Sequence, residues 1–244
     1  MTHYINAHDH LFHYQDQARA LADIKEHQIK TSFVTENEAE FWSLHTICQD
    51  QPLLKAGYGL HPWQVRSTSS HHLSAKALEA CDFIGEIGLD TVWAPEEAYF
   101  SDQQRIFQAF LKAAQAYGKL ASIHTKGAEK EVLAALENFP QAGHMIHWYS
   151  GPLDLVPKYL ALGCYFTLSV DLPLKKHAQE LARLLPLDRI LTETDGPTAL
   201  AWLTGKDSWP HDVIFLVKKL AQIKNLTPGQ MQGIIAANYA RLFP

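Results

Sequence analysis

Apolar and polar positions follow two alternating periods along this chain. Short runs rich in apolar or β-branched residues recur at YINAH (4–8), TSFVT (31–35), KAGYGL (55–60), DFIGEIGL (82–89), LASIH (120–124), GHMIH (143–147), YFTLS (165–169) and RILTETD (189–195). Between them, stretches such as 100–119 and 174–186 space their apolar residues three and four apart, the period of a helix with one buried face. Strand then helix, eight times over, predicts an α/β fold: a parallel sheet closed as a (β/α)8 barrel of the TIM type. The length of 244 residues suits that fold. No linker, low-complexity tract or charge block interrupts the pattern, so residues 1–244 are expected to form a single domain. An open doubly wound sheet is the alternative. It usually carries a G-x-G-x-x-G turn after its first strand, and here that turn reads AHDHLF.

In such a barrel the chemistry gathers where the strands finish. The ends of these strands carry His8 and His10, Thr35, His61, Glu86, His124, His147, Ser169 and Asp195. Six of the eight strands thus end in, or just before, a side chain able to bind a divalent metal, which scattered histidines would not do. Alternate residues of a strand share a face, so His8 and His10 converge on one point as metal ligands, and Asp9 is expected to turn away. A glutamate facing a barrel interior is costly to bury unless paired. Metal ligation offsets that cost for Glu86, whose two oxygens can serve two ions. Asp195 is expected to touch metal. Glu193, one layer below, is either a hydrogen-bond acceptor behind a ligand or half of a structural ion pair. Asn6 likewise either orients a ligand or is a satisfied buried amide. Trp63, in HPWQV, stacks a base or seals a loop, and Lys126 and Arg66 either meet a phosphate or are ordinary surface cations. His144 has opposite parity to His147 and should face the helices. His3, His13, His27, His45, His71, His72, His177 and His211 fall in helices, loops or turns, where solvated or capping roles are expected.

Composition narrows the picture further. A formal net charge of −5 argues against coating nucleic acid through a global positive field, but allows an enzyme that takes strand ends. The opening MTHYINAHDH has no apolar core of a leader peptide, and no apolar run is long enough to span a membrane. Cys48, Cys81 and Cys164 are odd in number and widely spaced, as expected of reduced core thiols in a cytoplasmic protein.

With these residues assembled, the chain resembles the TatD family of metal-dependent hydrolases, within the amidohydrolase superfamily. NAHDHL is similar to the family's D-x-H-x-H-L, GLHPW to its G-x-H-P, and FIGEIGLD to its G-E-I/C-G-L-D. SIHTK and MIHWYSG resemble its two later histidine motifs, LTETDGP its E-T-D-x-P, and NYARLF its closing N-x-x-R-L-F. The resemblance implies two divalent ions (Mg, Mn or Zn) in a hydrolase that cleaves DNA phosphodiesters, often trimming single strands from the 3′ end. It implies that His8, His10, Glu86 and Asp195 hold one ion, and that Glu86, His124 and His147 hold the second. His61 would lie near the substrate phosphate. The expected partner is single-stranded DNA or DNA ends, with neither a membrane nor an obligate protein partner.

Two departures from the family pattern stand out. Asn6 replaces its usual aspartate, and GPTALAWLTGKDSWPHD after Asp195 lacks the usual R-G-x-x-N-x-P. An amide- or ester-hydrolysing member of the superfamily is the alternative function. Many of those bridge their metals with a carboxylated lysine, and no strand here ends in lysine. A binding protein that has lost catalysis fits less well, because every ligand-grade residue is present.

Overall fold

The computed structural model describes residues 2–66, 73–94, 97–140 and 143–243. His71 and His72 lie outside the described residues. The strands are β1 (Tyr4–Asp9), β2 (Ile29–Phe33), β3 (Leu54–Tyr58), β4 (Phe83–Gly88), β5 (Ala121–His124), β6 (His144–Ile146), β7 (Tyr165–Leu168) and β8 (Ile190–Thr192). The helices are α1 (Gln17–His27), α2 (Glu38–Cys48), α3 (Ala75–Ala80), α4 (Glu97–Tyr117) and α5 (Glu129–Leu136), followed by α6 (Val156–Ala161), α7 (Lys176–Leu184), α8 (Thr198–Thr204), α9 (Val213–Lys224) and α10 (Pro228–Leu242). The strands form one sheet in chain order, β1 to β8. Pairing is parallel between β1 and β2, β3 and β4, β4 and β5, β5 and β6, and β7 and β8. This is the (β/α)8 architecture that the periodicity predicts.

The chain clusters into two compact units. The first comprises Met1–Phe33, Asp50–Leu54 and Phe166–Pro244. Its helix starts follow local rules: Asp16 accepts from the Arg19 N–H to cap α1, and Thr227 and Gln230 cap α10 reciprocally. From α10, Asn238 donates to the carbonyls of Leu187 and Ile190, and the Tyr239 hydroxyl bonds the Ser32 hydroxyl at 2.8 Å. The terminal N-x-x-R-L-F motif therefore fastens the last helix to the sheet.

The second unit comprises Val34–Gln49 and Lys55–Tyr165. Asn37 caps α2, and Tyr58 packs between Phe41 and Phe110, with ring centroids 5.3 and 5.5 Å away. The buried Phe83, Phe107 and Phe110 fill its core. Each such ring contributes roughly 1.5–3 kcal/mol by leaving water.

Both units carry one irregularity that matters later. On β1 the four residues from Asn6 to Asp9 oppose three on β2, Thr31 to Phe33, and on β4 the four from Ile84 to Ile87 oppose three on β5, Ala121 to Ile123. Such bulges re-aim side chains. The final strand is also shorter than the run RILTETD suggests. It stops at Thr192, and Asp195 turns into left-handed backbone (φ 46°) with its N–H on the His8 carbonyl.

Candidate metal centre

In the first unit, β1 and the segment after β8 bring His8, His10 and Asp195 together. All three are buried, and Asp195 Oδ1 lies 3.7 Å from His8 Nε2 and 3.4 Å from His10 Nε2. His13, assigned to a solvated or capping role, instead stacks face to face on His10 with centroids 4.5 Å apart. Asn6 is buried and bonds Asp9 and Thr194. Its amide donates to Asp9 Oδ2 and Thr194 Oγ1, both at 2.8 Å, and its carbonyl accepts from the Thr194 N–H. Asp9, expected to point away, is thus brought to Asn6 by the β1 bulge. It also accepts from the N–H groups of His10 and Gly196 and from the Tyr14 hydroxyl. Burial pushes the Asp9 carboxyl up to about 7, with His10 and these donors pulling the other way. The carboxyl group that Asn6 lacks therefore stands one hydrogen bond away, on Asp9. Glu193 is buried beside Thr194, its N–H on the Leu168 carbonyl.

In the second unit, three imidazoles surround one carboxylate oxygen. Glu86 Oε1 lies 2.9 Å from His124 Nδ1, 2.9 Å from His147 Nε2 and 3.1 Å from His61 Nε2, while His124 Nδ1 and His147 Nε2 are 3.3 Å apart. Glycines allow this convergence: a Cβ on Gly59 would sit 2.6 Å from the Glu86 nitrogen.

Hydrogen bonds set two of these imidazoles, His61 and His124, in opposite tautomers. His61 Nδ1 accepts from the Trp63 backbone N–H at 3.1 Å, so the neutral ring carries its proton on Nε2 and offers a donor. His124 is the reverse. Its Nε2 donates to Asp90 Oδ2 at 2.8 Å, which leaves the Nδ1 lone pair for a cation. Asp90 Oδ2 also accepts from the Trp63 indole at 2.7 Å, and Oδ1 accepts from the N–H groups of Val92 and Trp93. Burial alone would raise the Asp90 carboxyl, yet the hydrogen bonds, that from His124 first, hold it well below the usual carboxylate range. Burial would likewise lower His124, but Asp90 and Glu86 raise it, a field that favours positive charge at this point.

The donor set fits divalent ions. Metal bonds of about 2.0–2.2 Å at tetrahedral or octahedral angles place neighbouring ligand atoms about 3.0–3.5 Å apart. The nitrogen and oxygen spacings in each unit lie in or close to that range, and a buried carboxylate among imidazoles is the mixed N/O set that Zn, Mn or Fe accepts. Within the second unit, His124, His147 and Glu86 are the ligand candidates, and His61 is set apart by its proton. His61, Glu86 and His124 also lie close enough to share an ion, but the Trp63 N–H on His61 Nδ1 keeps the proton on Nε2, the nitrogen that faces Glu86.

Of the remaining candidates, Trp63 is half-buried, edge-on to His61 at 4.8 Å, with its indole N–H committed to Asp90. Lys126 donates to the Ser150 hydroxyl, and Arg66 to the carbonyls of Trp63 and Val65. His144 bonds the Phe139 carbonyl, in keeping with its parity. Reasoning from sequence missed Asp90, although it stands in the quoted FIGEIGLD, because nothing in a linear motif shows which imidazole it will meet. It also missed Asp9 and His13.

The family profile described as TatD related DNase matches residues 5–244. An uncharacterized metal-dependent hydrolase of Mycoplasma pneumoniae is 25% identical over 260 residues, covering 98% of this chain and 99% of that protein. MJ1582 of Methanocaldococcus jannaschii and YcfH of Escherichia coli K12, described in the same terms, are 27% and 30% identical over 66% of this chain. The chain spans about three fifths of the length of these two relatives, 61% and 62%. Among solved structures, the TatD homologue YJJV of Escherichia coli K12 has a TM-score of 0.82 at 21% identity, covering 98% of this chain and 97% of that one, a likeness of fold. The chain belongs to the TatD-related DNase family of metal-dependent hydrolases.

Proposed function

We propose that the protein is a divalent-metal-dependent phosphodiesterase that shortens DNA from its ends, with single strands as the preferred substrate. The observation that carries this reading is the division of labour around Glu86: His124, its Nε2 held by Asp90, turns a lone pair inward beside His147, while His61 presents an N–H. A hydrolase of phosphate esters needs both a cation site and a donor for the phosphate oxygen. On this reading His8, His10 and Asp195 hold one ion, and Glu86, His124 and His147 hold a second. Bound there, the ions would lower the pKa of water toward about 7 and offset charge on the phosphate oxygens. Asp195 takes the proton of the attacking water. The new bond forms from water oxygen to phosphorus, and the bond to the 3′-oxygen breaks, that oxygen leaving as a hydroxyl with a proton taken from solvent. His61 Nε2–H donates to a non-bridging phosphate oxygen as its charge grows. Trp63, through its backbone and its indole, holds His61 and, by way of Asp90, His124 in these orientations.

End-labelled single-stranded DNA tests this with the purified chain in EDTA, magnesium or manganese. Metal-dependent shortening, absent in Glu86→Gln, is expected, and the fragment ladder gives the direction. Uncut DNA with cleavage of esters or cyclic amides in the same metals would overturn the substrate and leave the metallohydrolase.

A further inference from the structure

One further cluster of ligand-grade side chains lies in the first unit and belongs to neither strand-end group. Asp23 and His27 stand four residues apart, on one face of α1. A 3-10 turn, Pro210–Asp212, brings His211 against them. Its Nδ1 lies 2.9 Å from Asp23 Oδ1, and His27 Nδ1 lies 3.2 Å from the same oxygen. The two rings are 5.3 Å apart.

The cluster is built before any ligand arrives. The His211 backbone N–H donates to Asp23 Oδ2 at 2.9 Å, which fixes the turn to the helix. Two residues earlier, Trp209 lies under the Arg19 guanidinium at 4.0 Å and beside the Tyr14 ring. Both imidazoles then aim Nδ1 at one carboxylate oxygen; His27 Nδ1 also lies 3.1 Å from the Asp23 carbonyl, so without an ion these nitrogens carry protons, and a bound ion would take the place of those protons. Ligand atoms of a four- or six-coordinate ion stand about 3.0–3.5 Å apart, close to the spacing found. The side chains of His27 and His211 are 34% and 35% exposed, so an ion could enter from solvent and keep water in its remaining positions.

The geometry points to a transition-metal site formed by Asp23, His27 and His211, separate from the strand-end ligands. Two imidazoles with one carboxylate suit zinc, cobalt, nickel or copper, whereas magnesium and calcium prefer all-oxygen shells. The site would tie the segment after Asp195 to α1. That segment is the one in which this chain departs from the family's R-G-x-x-N-x-P, so the ion would fasten a region where the family pattern is absent. The inference does not depend on the chemistry at Glu86.

Two measurements test it. The metal-free chain is dialysed against buffered free zinc and its bound ions are counted by elemental analysis, beside His27→Gln/His211→Gln. The double variant should hold one ion fewer per chain, and the same difference should persist when both carry Glu86→Gln. The second measurement needs no substitution. At zinc ten times the dissociation constant, diethylpyrocarbonate modification of His27 and His211, read by peptide mass spectrometry, should fall about tenfold, with His45 unchanged. Equal ion counts together with zinc-independent modification would overturn the proposal, leaving the cluster as hydrogen bonds that dock a turn.

Discussion

Replacing Asp90 with asparagine removes a charge and exchanges one acceptor for a donor, with little change in volume. All four strong bonds at this carboxylate come from donors: the Trp63 indole and His124 Nε2 on one oxygen, the Val92 and Trp93 N–H groups on the other. An asparagine can satisfy only one side. If its oxygen faces the backbone, its amide meets the indole and His124, and His124 must move its proton to Nδ1. That proton then occupies the position 2.9 Å from Glu86 Oε1 from which a cation would be held. If the amide faces the backbone instead, two N–H groups lose their acceptor. Partners of this kind behind a metal-binding histidine are worth about 10–100-fold in affinity, or about 1.4–2.8 kcal/mol. Competition of the chain against a chromophoric chelator for zinc or cobalt reads the effect directly. Asp90→Asn should weaken one ion by that amount and leave the other, at His8, His10 and Asp195, within about twofold. Unchanged affinity for both ions would refute the reasoning that Asp90 sets the His124 tautomer.

Restoring the family's aspartate with Asn6→Asp should destabilise the fold by about 1–3 kcal/mol at pH 8, because two buried carboxylates would meet across a 2.8 Å contact. Asn6→Asp/Asp9→Asn should regain most of that loss in urea melts; an additive double variant would show that the pair is not coupled. Gly59→Ala drives a methyl group to 2.6 Å from the Glu86 nitrogen, so a cost of about 1–3 kcal/mol with weakened metal binding is expected. A melt identical to the parent's would dismiss the close approach. Burial lowers the pKa of His144, so the unfolded chain binds the extra proton and stability should drop as pH falls through the ordinary histidine value of about 6.5. Denaturant melts at pH 8 and 5.5 should show a smaller drop for His144→Phe, and parallel drops would count against it.

What the sequence determined by itself was nearly the whole architecture. Periods of two and of 3.6 are local properties of neighbouring residues, and all eight runs coincide with strands to within a few residues. The strand-end histidines were legible for the same reason, since a strand fixes which residues finish it. Parity was the limit of that logic. It placed His8 with His10, but it also turned Asp9 away from Asn6, and only pairing with β2 shows the bulge that brings them together. The chemistry of each imidazole was likewise absent from the linear string. Whether a ring offers a lone pair or a proton depends on what its other nitrogen meets, and for His124 that is Asp90, 34 residues away. His211 meets Asp23 across 188 positions. No local pattern encodes such pairs, because they exist only once the backbone has closed distances that the sequence leaves open.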